Sequence, residues 1–371
     1  MASYVLRRLL LIIPTLWAII TVNFFIVQVA PGGPVDQAIA EARGIESNMA
    51  MERISGTGQM EAGSGAGDGS GTEPSATTDT GTPYRGARGL DEETIAEIEK
   101  RFGFDKPLHV RYFTMLRDYI LFDFGDSLFK GRSVIGLVVE RMPVSISLGL
   151  WTTLMVYLVS IPLGIRKAVR DGSRFDRWTS AVVVVGNAVP SFLFAILLIV
   201  LFAGGSFLKI FPLRGLVSPN WQDLSLGMKI LDYFWHLVLP LAAMLIGGFA
   251  SLTMLTKNSF MDEIGKQYVM TARAKGVGPW KLLLKYPVRI ALNPFVSGIG
   301  GLFPKLVSGS AIIAMVLGLP TVGPLLLNGI MDQDMYVAGS LLMVLSTLSI
   351  FGTLVSDLLL LALDPRIRYE K

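Results

Sequence analysis

Residues 9–30 read LLLIIPTLWAIITVNFFIVQVA, a charge-free and almost wholly apolar run behind Arg7 and Arg8. A helix needs about 20 such residues to cross the hydrocarbon of a bilayer, so the run predicts a first membrane span. It is too long for a signal-peptide core, and Pro31 is a poor cleavage context, which predicts an uncleaved span. Five further apolar stretches follow, roughly 145–165, 179–203, 237–255, 294–319 and 337–363. Pro162, Pro190, Pro240 and Pro304 fall in them or at their ends. Freed carbonyls in lipid need neighbouring helices or water, so these prolines predict a packed bundle rather than isolated anchors.

The polar positions between the stretches orient them. With the N-terminus inside, the inner segments hold Arg7 and Arg8, then Arg166, Lys167, Arg170, Arg174 and Arg177. They also hold seven basic residues from Lys257 to Arg289, and finally Arg366, Arg368 and Lys371. The short outer segment 320–336 has no Lys or Arg. Basic residues collect on the cytoplasmic side, so the pattern predicts an all-α membrane protein with six transmembrane helices and both termini cytoplasmic. Residues 1–30 then form the first helix and 31–142 a periplasmic insertion. Residues 143–363 form a core of five helices with a cytoplasmic loop at 257–290, and 364–371 a cytoplasmic tail.

Within the insertion, 55–83 is rich in Gly, Ser and Thr and nearly free of large apolar residues, which predicts a flexible loop. Structure is expected to resume at LDEETIAEIEKRFGF, where Asp91 can cap a helix containing Thr94 and carrying Ile95, Ile98 and Phe102 on one face. The piece VRYFTMLRDYILFDFG places Tyr112, Leu116, Tyr119 and Ile120 on a stripe. That stripe suits either the membrane surface or a cap packed on the outer ends of the bundle.

Composition agrees with this reading. Charged residues are 17% of the 371, where soluble domains carry about a quarter, and mean hydropathy is +0.54. The net charge of +4 is too small to argue for nucleic acid. The chain has no cysteine, which excludes disulfides, thiol nucleophiles and Cys-based metal sites. His109 and His236 are far apart and lack a ligand pattern. No P-loop, zinc-protease or nucleophile-elbow motif occurs, so the chain is not expected to be an enzyme. Lys305 and Asp357 are ionisable residues inside predicted spans, and such charges face a bundle interior or water. Lys305 is a candidate for the translocation path, where it could meet a peptide carboxylate. Asp357 reads as an inner-end anchor beside Asp364 and Arg366, and lies shallower than Lys305 by roughly 8 Å at 1.5 Å per residue.

One charged segment interrupts the apolar pattern on the inner side: QYVMTARAKGVGPWKLLLKYPVRIALNP, residues 267–294. The sequence predicts helix from 261 to 275, a stop at Gly276, Gly278 and Pro279, and a second short helix over 280–286. Thr271 and the alanines would form a close-approach face, with Arg273, Lys275, Lys281 and Lys285 around it. A docking surface and a basic loop that merely obeys the charge rule fit this pattern equally well.

The same segment resembles a known family. YVMTARAKGV is similar to the signature loop of ABC-importer permeases in the dipeptide/oligopeptide/nickel branch. In that family the loop is the coupling helix that docks on the ATPase. The resemblance carries this role to Thr271, Ala272, Arg273, Ala274, Lys275 and Gly276. Met270 stands where many permeases have Glu, and Gly33 where Asp is usual. VNFFIVQVAPGGP, RYFTMLRDYILFDFGDSL, ERMPVSISLGL, VPSFLFAILLI, FPLRG, LGLPTVGPLLLNGIMDQDMYVAG and LLALDPRIRY follow in the family's order. The insertion with YRGARGLDEETIAEI looks most like that of the Yej-type importers, which take up peptides including microcin C. The resemblance implies a second permease subunit, two cytoplasmic ATPase domains that bind ATP and Mg, and a periplasmic peptide-binding protein, all at the bacterial inner membrane. It implies no cofactor in this chain. The alternatives are a nickel or metal-chelate permease and a membrane-anchored scaffold or sensor.

Overall fold

The structure, a computed structural model, describes residues 2–29, 100, 105–127, 129–203, 207–332 and 334–363. The loop expected over 55–83 and the tail 364–371 lie outside the described residues, as does the helix expected from Asp91 to Phe102 apart from Lys100.

The first apolar run forms α1 (Ala2–Val29). The amphipathic stripe after the insertion forms α2 (Leu108–Ile120), with Met115 and Tyr119 buried. It packs on α1: the Tyr112 hydroxyl lies 2.7 Å from Thr21 Oγ1, and its ring meets Phe24 edge-on at 5.4 Å. Tyr119 of the stripe enters the bundle core with Tyr112 and Leu116 packed against it, whereas Ile120 turns outward.

The second span is α3 (Val134–Val169), begun by Ser133, whose Oγ accepts a hydrogen bond from Gly136 N–H at 3.2 Å. At 36 residues it exceeds the stretch expected at 145–165, because the preceding amphipathic residues continue the same helix through Pro143. The third stretch departs from expectation. Instead of one rod over 179–203 it is α4 (Arg174–Ala188) and α5 (Ser191–Phe202), set at 90° to each other. Pro190 offers no amide and its ring crowds Val189, which leaves the helical region at φ −83, ψ 120.

The fourth span, α6 (Leu226–Ile264), runs 39 residues and overshoots the expected 237–255 at both ends. Three short helices follow, α7 (Gln267–Ala274), α8 (Pro279–Lys285) and α9 (Pro287–Ala291). The fifth stretch is assembled from α10 (Asn293–Gly298), a 3-10 turn at Ile299–Gly301, α11 (Leu302–Ser308) and α12 (Ala311–Val316). The chain closes with α13 (Val322–Met331) and α14 (Met335–Leu363). Among the described residues, five helical stretches are long and apolar enough to cross a membrane, or six if the bent pair α4–α5 is one span.

The two larger apolar cores among the described residues join most of the helices. One joins α1, α2, the start of α3, α13 and α14 through Phe24, Tyr119, Leu137, Leu325 and Leu341. The other joins α3, α5, α6 and α12 through Leu148, Ala195, Leu237, Ala243 and Ala314. Where α3 crosses α6, Gly164 lets the backbones approach. A Cβ there would sit 2.8 Å from the Thr253 carbonyl oxygen, closer than atoms pack.

Candidate functional site

The segment after α6 is built from a clamp, a turn and a small core. Glu263 lies in the last turn of α6, where the helix dipole disfavours an acid. It is nonetheless buried, because Lys266 pairs with it and the Tyr268 hydroxyl donates to it at 2.7 Å. The chain therefore bends at Gly265 and Lys266, and the continuous helix expected over 261–275 is divided between α6 and α7.

α7 ends as the sequence suggests. Gly276 has φ +79, its N–H donates to the Arg273 carbonyl at 3.0 Å, and Val277 N–H donates to the Ala272 carbonyl at 3.3 Å. This pair of bonds is the Schellman arrangement, and Val277 at its end packs against the small core that contains Ala272. Pro279 then opens α8, where a missing amide costs nothing. The two helices close on Val269, Ala272 and Leu282, with Tyr268, Val277 and Tyr286 packed around them.

The expected small-residue face is thus divided. Ala272 is 5% exposed and faces α8, whereas Thr271, Arg273, Ala274, Lys275 and Gly276 are exposed. Three large apolar residues that sequence reasoning passed over are also exposed on the hairpin: Met270 (60% exposed), Trp280 (76%) and Leu284 (61%), the last two beside the end of α3. The signal was present in their spacing, since none shares the helical face of Val269, Ala272 and Leu282.

Next to this hairpin lies an ion network that the charge count treated as loop residues. Lys167 is fully buried on α3, 3.1 Å from Asp176 Oδ1 and within hydrogen-bond reach of the Thr179 and Ser180 hydroxyls, at 2.9 and 2.6 Å. Lys257 of α6 reaches Asp176 Oδ2 and Asp171, each at 2.7 Å. Two lysines and two aspartates so join α3, α4 and α6 at one end of the bundle. Asp176 is held besides by Gly172 N–H at 3.2 Å.

The intramembrane charges separate. Asp357 on α14 pairs with Arg8 on α1, not with Lys305. Its expected neighbours Asp364 and Arg366 lie outside the described residues. Lys305 is exposed on α11, and exposed residues Ser297, Gly301, Gly309 and Ile312 continue its face along the fifth stretch. Helix α11 stops at Ser308, and Gly309 N–H donates to the Lys305 carbonyl at 2.9 Å. His236 engages the Asp232 carbonyl of the preceding turn at 2.8 Å and is not part of a ligand cluster among the described residues.

A bundle of apolar helices long enough to cross a membrane, with buried ion pairs and a compact hairpin between two spans, is the build of a multi-pass membrane protein. The chain belongs to the family described as binding-protein-dependent transport system inner membrane component, which matches residues 160–369. Over 371 residues and the full length of both chains it is 53% identical to the inner membrane ABC transporter permease protein YejB of Escherichia coli O157:H7. It is 48% identical to the peptidoglycan transport system permease protein YejB of Agrobacterium fabrum, across 100% of this chain and 99% of that one. The oligopeptide transport system permease protein OppB of Salmonella typhimurium is 27% identical across the full length of both. The chain is therefore a multi-pass inner-membrane permease component.

Proposed function

We propose that this chain is one of two permease subunits of a bacterial ABC importer for peptides. A second, similar permease completes the path, two cytoplasmic ATPase domains hydrolyse ATP, and a periplasmic binding protein delivers the cargo. The names of the relatives, peptidoglycan and oligopeptide transport permeases, support a cargo with a peptide portion. Free oligopeptides, peptide stems of cell-wall fragments and peptide antibiotics of the microcin C type share that chemistry.

The observation that carries the reading is the α7–α8 hairpin. It folds on its own small core, is tied to α6 through Glu263, and presents Met270, Trp280 and Leu284 among basic residues. Apolar side chains grouped on a face turned to water mark a contact surface. With the orientation given by the basic residues, that surface meets the ATPase, and Thr271, Arg273, Ala274 and Lys275 border the contact. Ala272 and Gly276 serve it by shaping the hairpin. Lys305 faces the path, since a lysine exposed on a membrane helix is too costly against lipid.

The test is co-purification and uptake with the intact importer. Trp280→Ala combined with Met270→Ser should lower ATPase retention and uptake while pairing with the second permease and thermal stability stay unchanged. Retention and uptake at the parent level would refute the docking role. A scaffold or sensor would instead show no ATP-dependent uptake in the parent complex.

A further inference from the structure

Helix α2 has three sides. Met115 and Tyr119 are buried in the bundle, with Tyr112 and Leu116 packed against that core. A polar side carries Thr114, Arg117 and Asp118, the last two paired at 2.8 Å. Between the two lie Phe113 and Ile120, about two turns apart on one face. Leu121 and Phe122 follow at the helix end, and all four are more than half exposed. Packing on a bundle needs one apolar side, and this helix has two.

The helix also ends in a conformation that its sequence does not favour. Phe122 N–H donates to the Tyr119 carbonyl at 3.1 Å and Asp123 N–H to the Asp118 carbonyl at 2.9 Å, the same pair of bonds that closes α7. In α7 a glycine holds the left-handed position, whereas here Phe122 holds it, with φ +56. Among the described residues it is the one residue other than glycine with positive φ. A bulky L-residue is strained in that region. Within the chain the Phe122 ring meets Phe124 edge-on at 6.2 Å and otherwise stays exposed. One edge contact is a poor match for the strain, which points to a contact outside the chain.

Depth decides what that contact is. The span in α1 covers Leu6–Phe25, whose 20 residues at about 1.5 Å each equal the thickness of the hydrocarbon, about 30 Å. The ends of this span are therefore at the two boundaries of the bilayer. The Tyr112 hydroxyl lies 2.7 Å from Thr21 Oγ1, and Thr21 is about 6 Å along the axis from Phe25. A second span, in α14, begins at Tyr336. Tyr119 and Asn23 both close on Gly339 there, where a Cβ would lie 2.6 Å from the Tyr119 hydroxyl oxygen and from Asn23 Nδ2. Two spans thus set α2 within about 6 Å of one boundary. The apolar surface is continuous as well. Phe25, exposed on α1, stacks on Tyr112 at 6.5 Å, and the Tyr112 ring meets that of Phe113 at 5.3 Å. A soluble partner meets what stands above the headgroups, whereas residues level with the last turn of a span face lipid.

We propose that α2 is seated in the lipid–water boundary of the bilayer, with Phe113, Ile120, Leu121 and Phe122 immersed beside the headgroups and Thr114, Arg117 and Asp118 turned to water. Helices with one apolar and one charged side lie in this position, the apolar side about 5–10 Å deep. Burial of the Phe122 ring in lipid offsets the strain of its backbone. The bilayer then sets the height of the cap. Through Ser127, which donates to Asp334 at 2.5 Å, it also sets that of the connection between α13 and α14. The seat rests on the chain being a membrane permease component. It does not rest on the docking role of the hairpin or on which side is cytoplasmic, so it fails separately from them.

The experiment uses the intact importer in nanodiscs of phosphatidylethanolamine and phosphatidylglycerol, with a nitroxide on Phe113→Cys, Ile120→Cys, Phe122→Cys or Thr114→Cys. This chain has no cysteine, so the parent complex gives the background from its partners. Collisions of the nitroxide with oxygen, which concentrates in lipid, and with a water-soluble nickel chelate report the surroundings of each site. The expected result is an oxygen-to-chelate ratio several-fold higher at 113, 120 and 122 than at 114. Equal ratios would mean that this side of α2 stands in water and would overturn the seat. So would low collision rates with both reagents at 113, 120 and 122, because a protein surface would then cover them. Adding the peptide-binding protein should leave every ratio unchanged, and a fall in both collision rates on its addition would assign the face to that protein instead. If the Phe122→Cys complex does not assemble, Phe113→Cys and Ile120→Cys must still show the difference from Thr114→Cys, and its absence there overturns the seat.

Discussion

Two glycines in the hairpin isolate the contribution of one backbone angle. Gly276 and Gly278 both have open space where a side chain would go, with no atom within 4 Å of an added Cβ. They differ in conformation: Gly276 has φ +79, whereas Gly278 has φ −59, ψ 150 and precedes Pro279. Valine is at ease in the second setting, because a residue before proline favours the extended region. At Gly276 the left-handed conformation costs an ordinary L-residue roughly 1–2 kcal/mol, and a β-branched one up to about 3 kcal/mol. For valine a cost of about 1–3 kcal/mol shifts a local equilibrium by a factor of about 5–150. The hairpin has only a small core of its own, so this cost falls on local opening rather than global unfolding. Gly276→Val should raise hydrogen exchange at the Val277 and Gly276 amides by that factor, and reduce ATP-dependent uptake in parallel. Gly278→Val should change neither by more than about two-fold, within the few tenths of a kcal/mol expected at neutral surface sites. Equal exchange in the two variants would refute the assignment of the turn to its backbone angle. Equal uptake, with exchange altered only in Gly276→Val, would refute the link from the turn to coupling.

Three further outcomes follow from the ion pairs and the orientation. Lys167→Met leaves buried Asp176 with Lys257 alone and should destabilise the purified complex by about 1–3 kcal/mol, whereas Lys167→Met/Asp176→Leu should recover most of it in thermal unfolding, Lys257 keeping Asp171. No recovery in the double variant would mean that Lys167 acts by packing alone. Lys305→Met should lower uptake while leaving assembly and thermal stability at the parent level, and undiminished uptake would remove Lys305 from the path. In this cysteine-free chain, Lys275→Cys should resist a membrane-impermeant maleimide in spheroplasts and Ser64→Cys should react, and the reverse pattern would invert the orientation.

The apolar stretches and the hairpin turn were legible in the sequence because each depends on local chemistry. A run of about 20 apolar residues specifies a span, and Gly276 followed by Pro279 specifies where one helix stops and another starts. The 90° bend at Val189 was signalled by Pro190, but the angle between two apolar helices is set by what they pack on, and hydropathy does not encode it. The clamp at Glu263 was hidden for the same reason. Lys266 and Tyr268 read as surface residues until the bend at Gly265 turns them back onto the carboxylate. Long-range charge pairing was out of reach. Asp176 meets a lysine 81 positions away, and Asp357 meets Arg8 from the opposite end of the chain. The small-residue face around Ala272 was misjudged because alanine suits a buried helix contact and an open docking surface equally.

The hairpin keeps its inward and outward residues apart, and that bears on how such importers diversify. Val269, Ala272, Leu282 and Gly276 answer only to the hairpin's own geometry. Met270, Arg273, Trp280, Lys281 and Leu284 are free of that duty. On the proposed docking role, a lineage can exchange one motor for another by altering the outward set, with no intermediate in which the loop itself fails to fold. The signature would then persist across permeases that no longer share an ATPase, and grafting the outward set alone should be enough to move this subunit from one motor to another.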